Sequence, residues 1–214
     1  MARGRPRRFD REVALQRAME AFWANGYEAT PLADLMAAIG INPPSFYAAF
    51  GSKEALYREA VDRYLATCGA GSMQALAGTG SARDAIEAML RASLEIALAS
   101  PSSGGCMVSL GLVNGQPRNA ALREHMRGLR RDTARLIGER LERGVVEGEL
   151  PAETDSGRLA AYFAAILQGI SLQAQDGAGR DTLLGIVETA MTVLESQRPS
   201  AGPAADAKSP RRRR

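Results

Sequence analysis

Residues able to act as nucleophiles or metal ligands are few in this chain. Cys68 and Cys106 stand 38 residues apart and His125 is the single histidine, so a four-ligand zinc site of the usual Cys/His kind cannot be assembled. Cys106 follows Ser-Gly-Gly and opens a helical stretch. A thiol at a helix N-terminus can have a lowered pKa, which makes Cys106 a candidate sensor of oxidants or electrophiles. The competing reading is a small apolar filler, and packing is the one role read for Cys68. His125 lies between Glu124 and Met126 in a charge-rich helix and reads as solvated surface. No phosphate-cradling glycine motif follows a strand and no nucleophile motif is present. The sequence therefore argues against an enzyme, and no cofactor or metal is expected.

A different chemistry is written in hydroxyls and arginines. In NPPSFYAAF, Phe46 and Phe50 lie four apart and face inward, which turns the Tyr47 hydroxyl elsewhere, with Ser45 beside it. Arg3, Arg5, Arg7 and Arg8 precede the first helical stretch, with Gly4 and Pro6 keeping the arm extended. Arginine prefers the negative potential of a narrow, A/T-rich minor groove. Residues 1–11 hold five arginines against one aspartate, and residues 197–214 hold six Lys/Arg against one aspartate. The formal net charge of +3 thus leaves the interior at −6. Basic arms on an acidic body suit a polyanion partner, while the alternative is that they merely aid solubility.

Helices must position these groups. Leu15, Ala18, Met19 and Phe22 follow helical spacing, with Asp10 as N-cap and Gly26 as stop. Thr30 as N-cap and Pro31 at the first position begin a second helix through Leu32, Leu35, Met36 and Ile39, ending at Gly40. Asn42 caps the third, with Pro43 in its first turn, and Ser52 caps a fourth that fades in the glycine-rich run CGAGSMQALAGTG. Ser81 and Asp84 open another helix, which stops before Pro101. A short apolar helix around residues 106–115 and a long charged one from Pro117 to Gly148 follow. The last two helices show wide apolar faces, Leu159, Ile166 and Ile170 on one and Leu183, Val187, Met191 and Leu194 on the other, and a second subunit would bury the surplus. The longest uncharged span, Leu159 to Gln175, is 17 residues long and carries Gln168, Ser171, Gln173 and Gln175, too short and polar to cross a bilayer. No secretory signal pattern opens the chain, and with two sparse cysteines a cytoplasmic setting is expected. No strand-like alternation occurs, so the fold class is all-α, with residues 197–214 expected to be a disordered basic tail.

A basic arm, a helix, and two short helices joined by a tight glycine-containing turn make a helix-turn-helix pattern. The stretch Phe9 to Tyr64 resembles the N-terminal DNA-binding domain of the TetR/AcrR family of bacterial transcriptional regulators, above all in GYEAT, LADLMAAIGI, SFYAAF and SKEALY. The resemblance implies residues 1–52 as arm and three-helix DNA-binding domain, and residues 53–196 as a larger helical domain for effector binding and dimerisation, with helix four as connector. It also implies phosphate contacts by Thr30 and Lys53, and backbone or base contacts by Ser45 and Tyr47. Pro43, Pro44, Ala48 and Ala49 depart from the polar residues frequent in relatives. Base choice would then rest on Asn42, Ser45, apolar contact with thymine methyls or DNA shape.

By the same resemblance the protein would be a homodimeric repressor, released from a palindromic double-stranded operator by a small molecule. Activation is a rarer family outcome. Cys106, Met89, Met107, Leu110, Tyr162 and Phe163 would surround the effector. A thiol-based regulator acting through Cys106 is the nearest alternative. A helical enzyme or a protein-binding scaffold explains neither the arm nor the helix-turn-helix.

Overall fold

A computed structural model describes residues 10–99 and 105–195. Arg3, Arg5, Arg7, Arg8 and the tail at 197–214 lie outside the described residues. Among the described residues every regular element is helical, as the periodicity demands. Helix α1 (Arg11–Asn25) starts where the Asp10 carboxylate accepts from the amides of Glu12 and Val13. α2 (Leu32–Ile39) follows, but Thr30 is not its cap. Pro31 takes the cap position, and the hydroxyl of the buried Thr30 turns back to donate to the Gly26 carbonyl at 2.6 Å. That carbonyl, at the end of α1, has no helical donor of its own, which explains the choice. α2 closes at Gly40 in the left-handed region, φ +73°, which a side chain rarely adopts. α3 (Pro43–Phe50) then leaves at the angle the turn sets, with the Asn42 side chain accepting from the Ser45 amide at 2.9 Å. α4 (Lys53–Ala66) is capped by the Ser52 hydroxyl.

The glycine-rich run is not a simple fade-out. It contains a helix, α5 (Ala70–Leu76), whose buried Leu76 and half-buried Met73 pack on the C-terminal core, so tertiary burial overrides weak propensity. α6 (Ala82–Ala99) begins with the Asp84 amide on the Ser81 hydroxyl. α7 (Met107–Leu110) is a single turn. A 3-10 turn over Pro117–Asn119 leads into α8 (Ala120–Val146), then α9 (Ser156–Gln175) and α10 (Arg180–Glu195).

Two apolar cores result. One joins α1 to α4 with Met107, Val108, Leu122 and Met126, so the inner face of α4, from Leu56 to Tyr64, packs with the N-terminal helices. The other joins α6, α9, α10 and the later part of α8. α8, 27 residues long, runs through both. The wide faces of the last two helices are used inside the protomer. Leu159, Ile170, Leu183, Val187, Met191 and Leu194, expected at a subunit interface, are all buried in the second core. α6 and α8 already cover them. Of the seven residues expected there, Ile166 alone lines the outer groove, which it shares with Tyr162, Thr182, Gly185, Ile186 and Thr189.

Candidate nucleic-acid interface and adjoining cleft

The third helix presents two unlike faces. Phe46 and Phe50 are buried beneath it with ring centroids 6.0 Å apart, while Tyr47 between them is 54% exposed, its ring edge-on to Phe46 at 5.3 Å. The two phenylalanines fix the helix from behind, so the outward direction of Tyr47 is set by packing and not by its own contacts. Pro43, Pro44 and Ala48 are exposed beside it and Ser45 is half-buried. Asn42 is exposed, with its side-chain carbonyl oxygen accepting from the Ser45 amide. The outward ridge is therefore mostly apolar, with polar tips at Asn42, Ser45 and Tyr47.

Thr30 and Lys53 serve the turn between α1 and α2. Lys53 Nζ donates to the Tyr27 carbonyl at 2.6 Å and lies 4.3 Å from the Tyr27 ring centroid. Burial lowers its pKa, against the opposing pull of Glu28. Two of its three N–H bonds are left for another acceptor. The Thr30 hydroxyl proton is committed to Gly26, so a phosphate would meet the amides at the start of α2 instead.

Arg17 was not singled out in the sequence. Its exposed guanidinium stands over the helix-turn-helix corner, 3.9 Å from where a Cβ on Gly40 would sit. Only the tertiary approach of α1 to that corner reveals it; a single arginine on a helix face carries no signal by itself. Arg11, by contrast, is tied to Glu59 at 2.6 Å and lies 4.8 Å from the Phe50 ring centroid. Residues 10–66 carry five basic against eight acidic side chains, so this unit by itself has no excess of positive charge.

Behind the four N-terminal helices a narrow cleft, with a cavity volume of about 60 Å³, opens between α4 and α9. Tyr64, Ser93, Cys106, Ser109, Arg130 and Gln168 are among its lining residues, none of which is a carboxylate. The Tyr64 hydroxyl is buried beside the Cys106 thiol and the Met107 backbone. Burial first, and then the neighbouring Cys106 thiol, push its pKa strongly up.

Of the residues expected at an effector site, Cys106 lines this cleft. Met107 and Leu110 line a neighbouring cavity against Trp23 and Tyr57, because the single turn of α7 sends them toward α1. Met89 and Phe163 are fully buried between helices of the second core, and Tyr162 lies on the outer groove. Cys68 is exposed and does no core packing. His125 is half-buried with its Nε2 shielded, not on a solvated face. Among the described residues no cluster of His, Cys, Asp or Glu could hold a metal, and no helix is long and apolar enough to cross a membrane.

A two-turn helix anchored from behind by aromatic rings, set at a left-handed glycine corner on a three-helix core, is a helix-turn-helix, and a helical domain attached to it defines a DNA-binding regulator. Residues 14–60 match the model of bacterial regulatory proteins of the tetR family, and residues 82–180 match a tetracyclin repressor-like C-terminal domain. The chain belongs to the TetR family of transcriptional regulators, which are not enzymes.

It is 32% identical over 191 residues to the HTH-type transcriptional repressor ComR of Escherichia coli (strain K12), covering 89% of this chain and 91% of ComR. A cysteine mutant of the TetR-family regulator CifR, solved with a 26-base-pair double-strand operator DNA, is 44% identical. It superposes with a TM-score of 0.83 over 88% of this chain and 98% of that one. A TetR regulator from Chloroflexus aurantiacus is 28% identical, with a TM-score of 0.77 and coverage of 88% and 95%.

Proposed function

We propose that the protein is a cytoplasmic, homodimeric repressor that grips a palindromic operator with two copies of α3 and lets go when a small molecule fills the cleft between α4 and α9. The carrying observation is Tyr47, exposed between two buried phenylalanines on a helix of the length that enters a major groove. In this reading Tyr47 and Ser45 donate to phosphate or base edges, and Asn42 and Pro43 meet the groove wall. Lys53, Arg17 and the amides that follow Thr30 hold phosphates, and Arg3, Arg5, Arg7 and Arg8 reach the adjacent minor groove. Two recognition helices must lie about 34–36 Å apart to read successive major grooves. The apolar outer groove of α9 and α10, with Ile166 and Ile186, supports pairing of two copies. The CifR mutant solved in complex with operator DNA supports the DNA partner.

Release needs an effector that favours the non-binding state by about 1–3 kcal/mol or somewhat more. A second reading, a thiol-based switch at Cys106, is favoured by the position of that thiol in the cleft beside the buried Tyr64 hydroxyl. Footprinting the protein on DNA upstream of its own gene, with salt titration, tests the main reading. A self-complementary footprint is expected, with affinity falling on logarithmic axes by about 0.9 per neutralised phosphate. Tyr47→Phe is expected to weaken binding about 12- to 150-fold, the range for one hydrogen bond to a charged acceptor, with thermal stability unchanged. Absence of a footprint, or a Tyr47→Phe protein that binds as wild type, overturns the assignment.

A further inference from the structure

A side-chain hydrogen bond ties the DNA-binding unit to the rim of the cleft. The Trp23 indole N–H on α1 donates to the Gly105 carbonyl, 82 residues away in sequence, at 2.9 Å. Both ends are held firmly. The Trp23 ring packs edge-on against Tyr64 with centroids 5.0 Å apart, and Tyr64 lines the cleft. Gly105 sits at φ +81°, and its amide donates to the Ala97 carbonyl of α6 at 3.0 Å. A Cβ there would stand 2.6 Å from Leu110 Cδ1 and 2.8 Å from the Ser171 carbonyl oxygen, so the peptide packs closely between α7 and α9. The next residue, Cys106, lines the cleft. Trp23 thus touches the cleft wall twice, through the Tyr64 ring and through the peptide before Cys106. On the other side, α1 supplies Leu15, Ala18, Met19 and Phe22 to the core on which α3 rests.

We propose that Trp23 is the positioning residue through which occupancy of the cleft reaches the DNA-binding unit. Its bond to Gly105 holds α1 in place while the cleft is empty and yields when an occupant shifts Tyr64 or Cys106. Transmission between sites requires an element with two discrete arrangements, here the Trp23–Gly105 bond made and the same bond broken. The proposal rests on reading the cleft as the effector site, yet its test needs neither DNA nor effector.

Trp23→Phe keeps an aromatic ring for Tyr64 and removes the donor. Cys106→Phe, or Ser93→Phe should the first not fold, puts a wedge in the cleft in place of an occupant. Deuterium exchange is read at the amides of α2 and α3 in the wild type, each single variant and the double variant. Trp23 is the one tryptophan of the chain, so its emission reports on this contact alone.

The wedge is expected to speed exchange in α2 and α3 and to move Trp23 emission to longer wavelength. Trp23→Phe alone should raise that exchange about 2- to 12-fold, the range for one neutral hydrogen bond, and leave the wedge little further effect. α10 should exchange as in the wild type throughout. The proposal is overturned if the wedge acts equally in both backgrounds, if Trp23→Phe leaves α2 and α3 unchanged, or if α10 loosens equally, the mark of a merely structural role. A missing footprint would remove the functional reading while leaving this cycle fully interpretable.

Discussion

The N-terminal unit, α1 to α4, and the C-terminal half, α5 to α10, are built from the same element under different constraints. In the first, short helices must hold one ridge at a fixed angle, so individual positions are specified: Asp10, Asn42 and Ser52 as caps, Gly40 at the corner, Phe46 and Phe50 as anchors. In the second, longer helices enclose a cleft, and many apolar sequences can do that. α9 buries Leu159, Phe163, Leu167 and Ile170 on one side and still shows Tyr162 and Ile166 on the other. Position-specific demands leave a readable pattern; bulk burial leaves only a helix.

The largest expected effects separate the two regions by their consequences. Phe46→Ala and Phe163→Ala each empty a fully buried site and should each cost about 3–5 kcal/mol of stability in denaturant unfolding. The costs are similar, but the effects on DNA differ. Phe46→Ala loosens the ridge and should lower the DNA affinity of molecules that are still folded, whereas Phe163→Ala should leave that affinity intact. Equal losses of affinity in the folded fraction would mean that the two cores do not act separately.

Next in size is the arm. Replacing Arg3, Arg5, Arg7 and Arg8 by alanine should flatten the salt dependence of DNA binding by about 0.9 for each arginine that neutralises a phosphate. Unfolding should be unaffected. Residues 10–66 are acidic on balance, so little electrostatic attraction should survive the change. A slope equal to that of the wild type would move the burden to Arg17 and Lys53.

Legibility follows the same division. The helix-turn-helix, its caps and the outward tyrosine were plain in the sequence because each rests on contacts within a few residues. Thr30 shows the limit of that logic: a threonine before proline reads as a cap, and the fold instead spends its hydroxyl on the carbonyl left open at Gly26. α5 was hidden because Leu76 and Met73 acquire their partners only in the folded chain. The faces of α9 and α10 were ambiguous because both sides are apolar, and the inward side is chosen by α6 and α8. Arg17 reaches the corner by tertiary packing alone.

The smallest expected effect lies at the join between the regions. Glu28, in the loop between α1 and α2, accepts from the Gln116 amide at 3.0 Å and from the Asn119 side-chain amide, just before α8. The backbone hydrogen bond from Gln116 chiefly lowers its pKa; burial opposes it, and the Asn119 hydrogen bond and the charges of Arg118 and Lys53 add to the lowering. A carboxyl group with a folded pKa below its unfolded value of 4.5 binds fewer protons in the native state. The stabilisation is therefore complete above pH 4.5 and is lost as the pH falls through the folded value. Glu28 is exposed, so solvent screening holds the effect to no more than about 1 kcal/mol. Glu28→Gln should unfold in urea almost as the wild type does below the folded value, be slightly weaker at pH 7, and show a flatter acid edge. Because the bond crosses between the two regions, acid should loosen this join before it reaches either core, seen as earlier deuterium uptake in residues 26–30 than in α10. An acid edge identical in wild type and Glu28→Gln would mean that the Glu28 hydrogen bonds add nothing measurable to the join between the two regions.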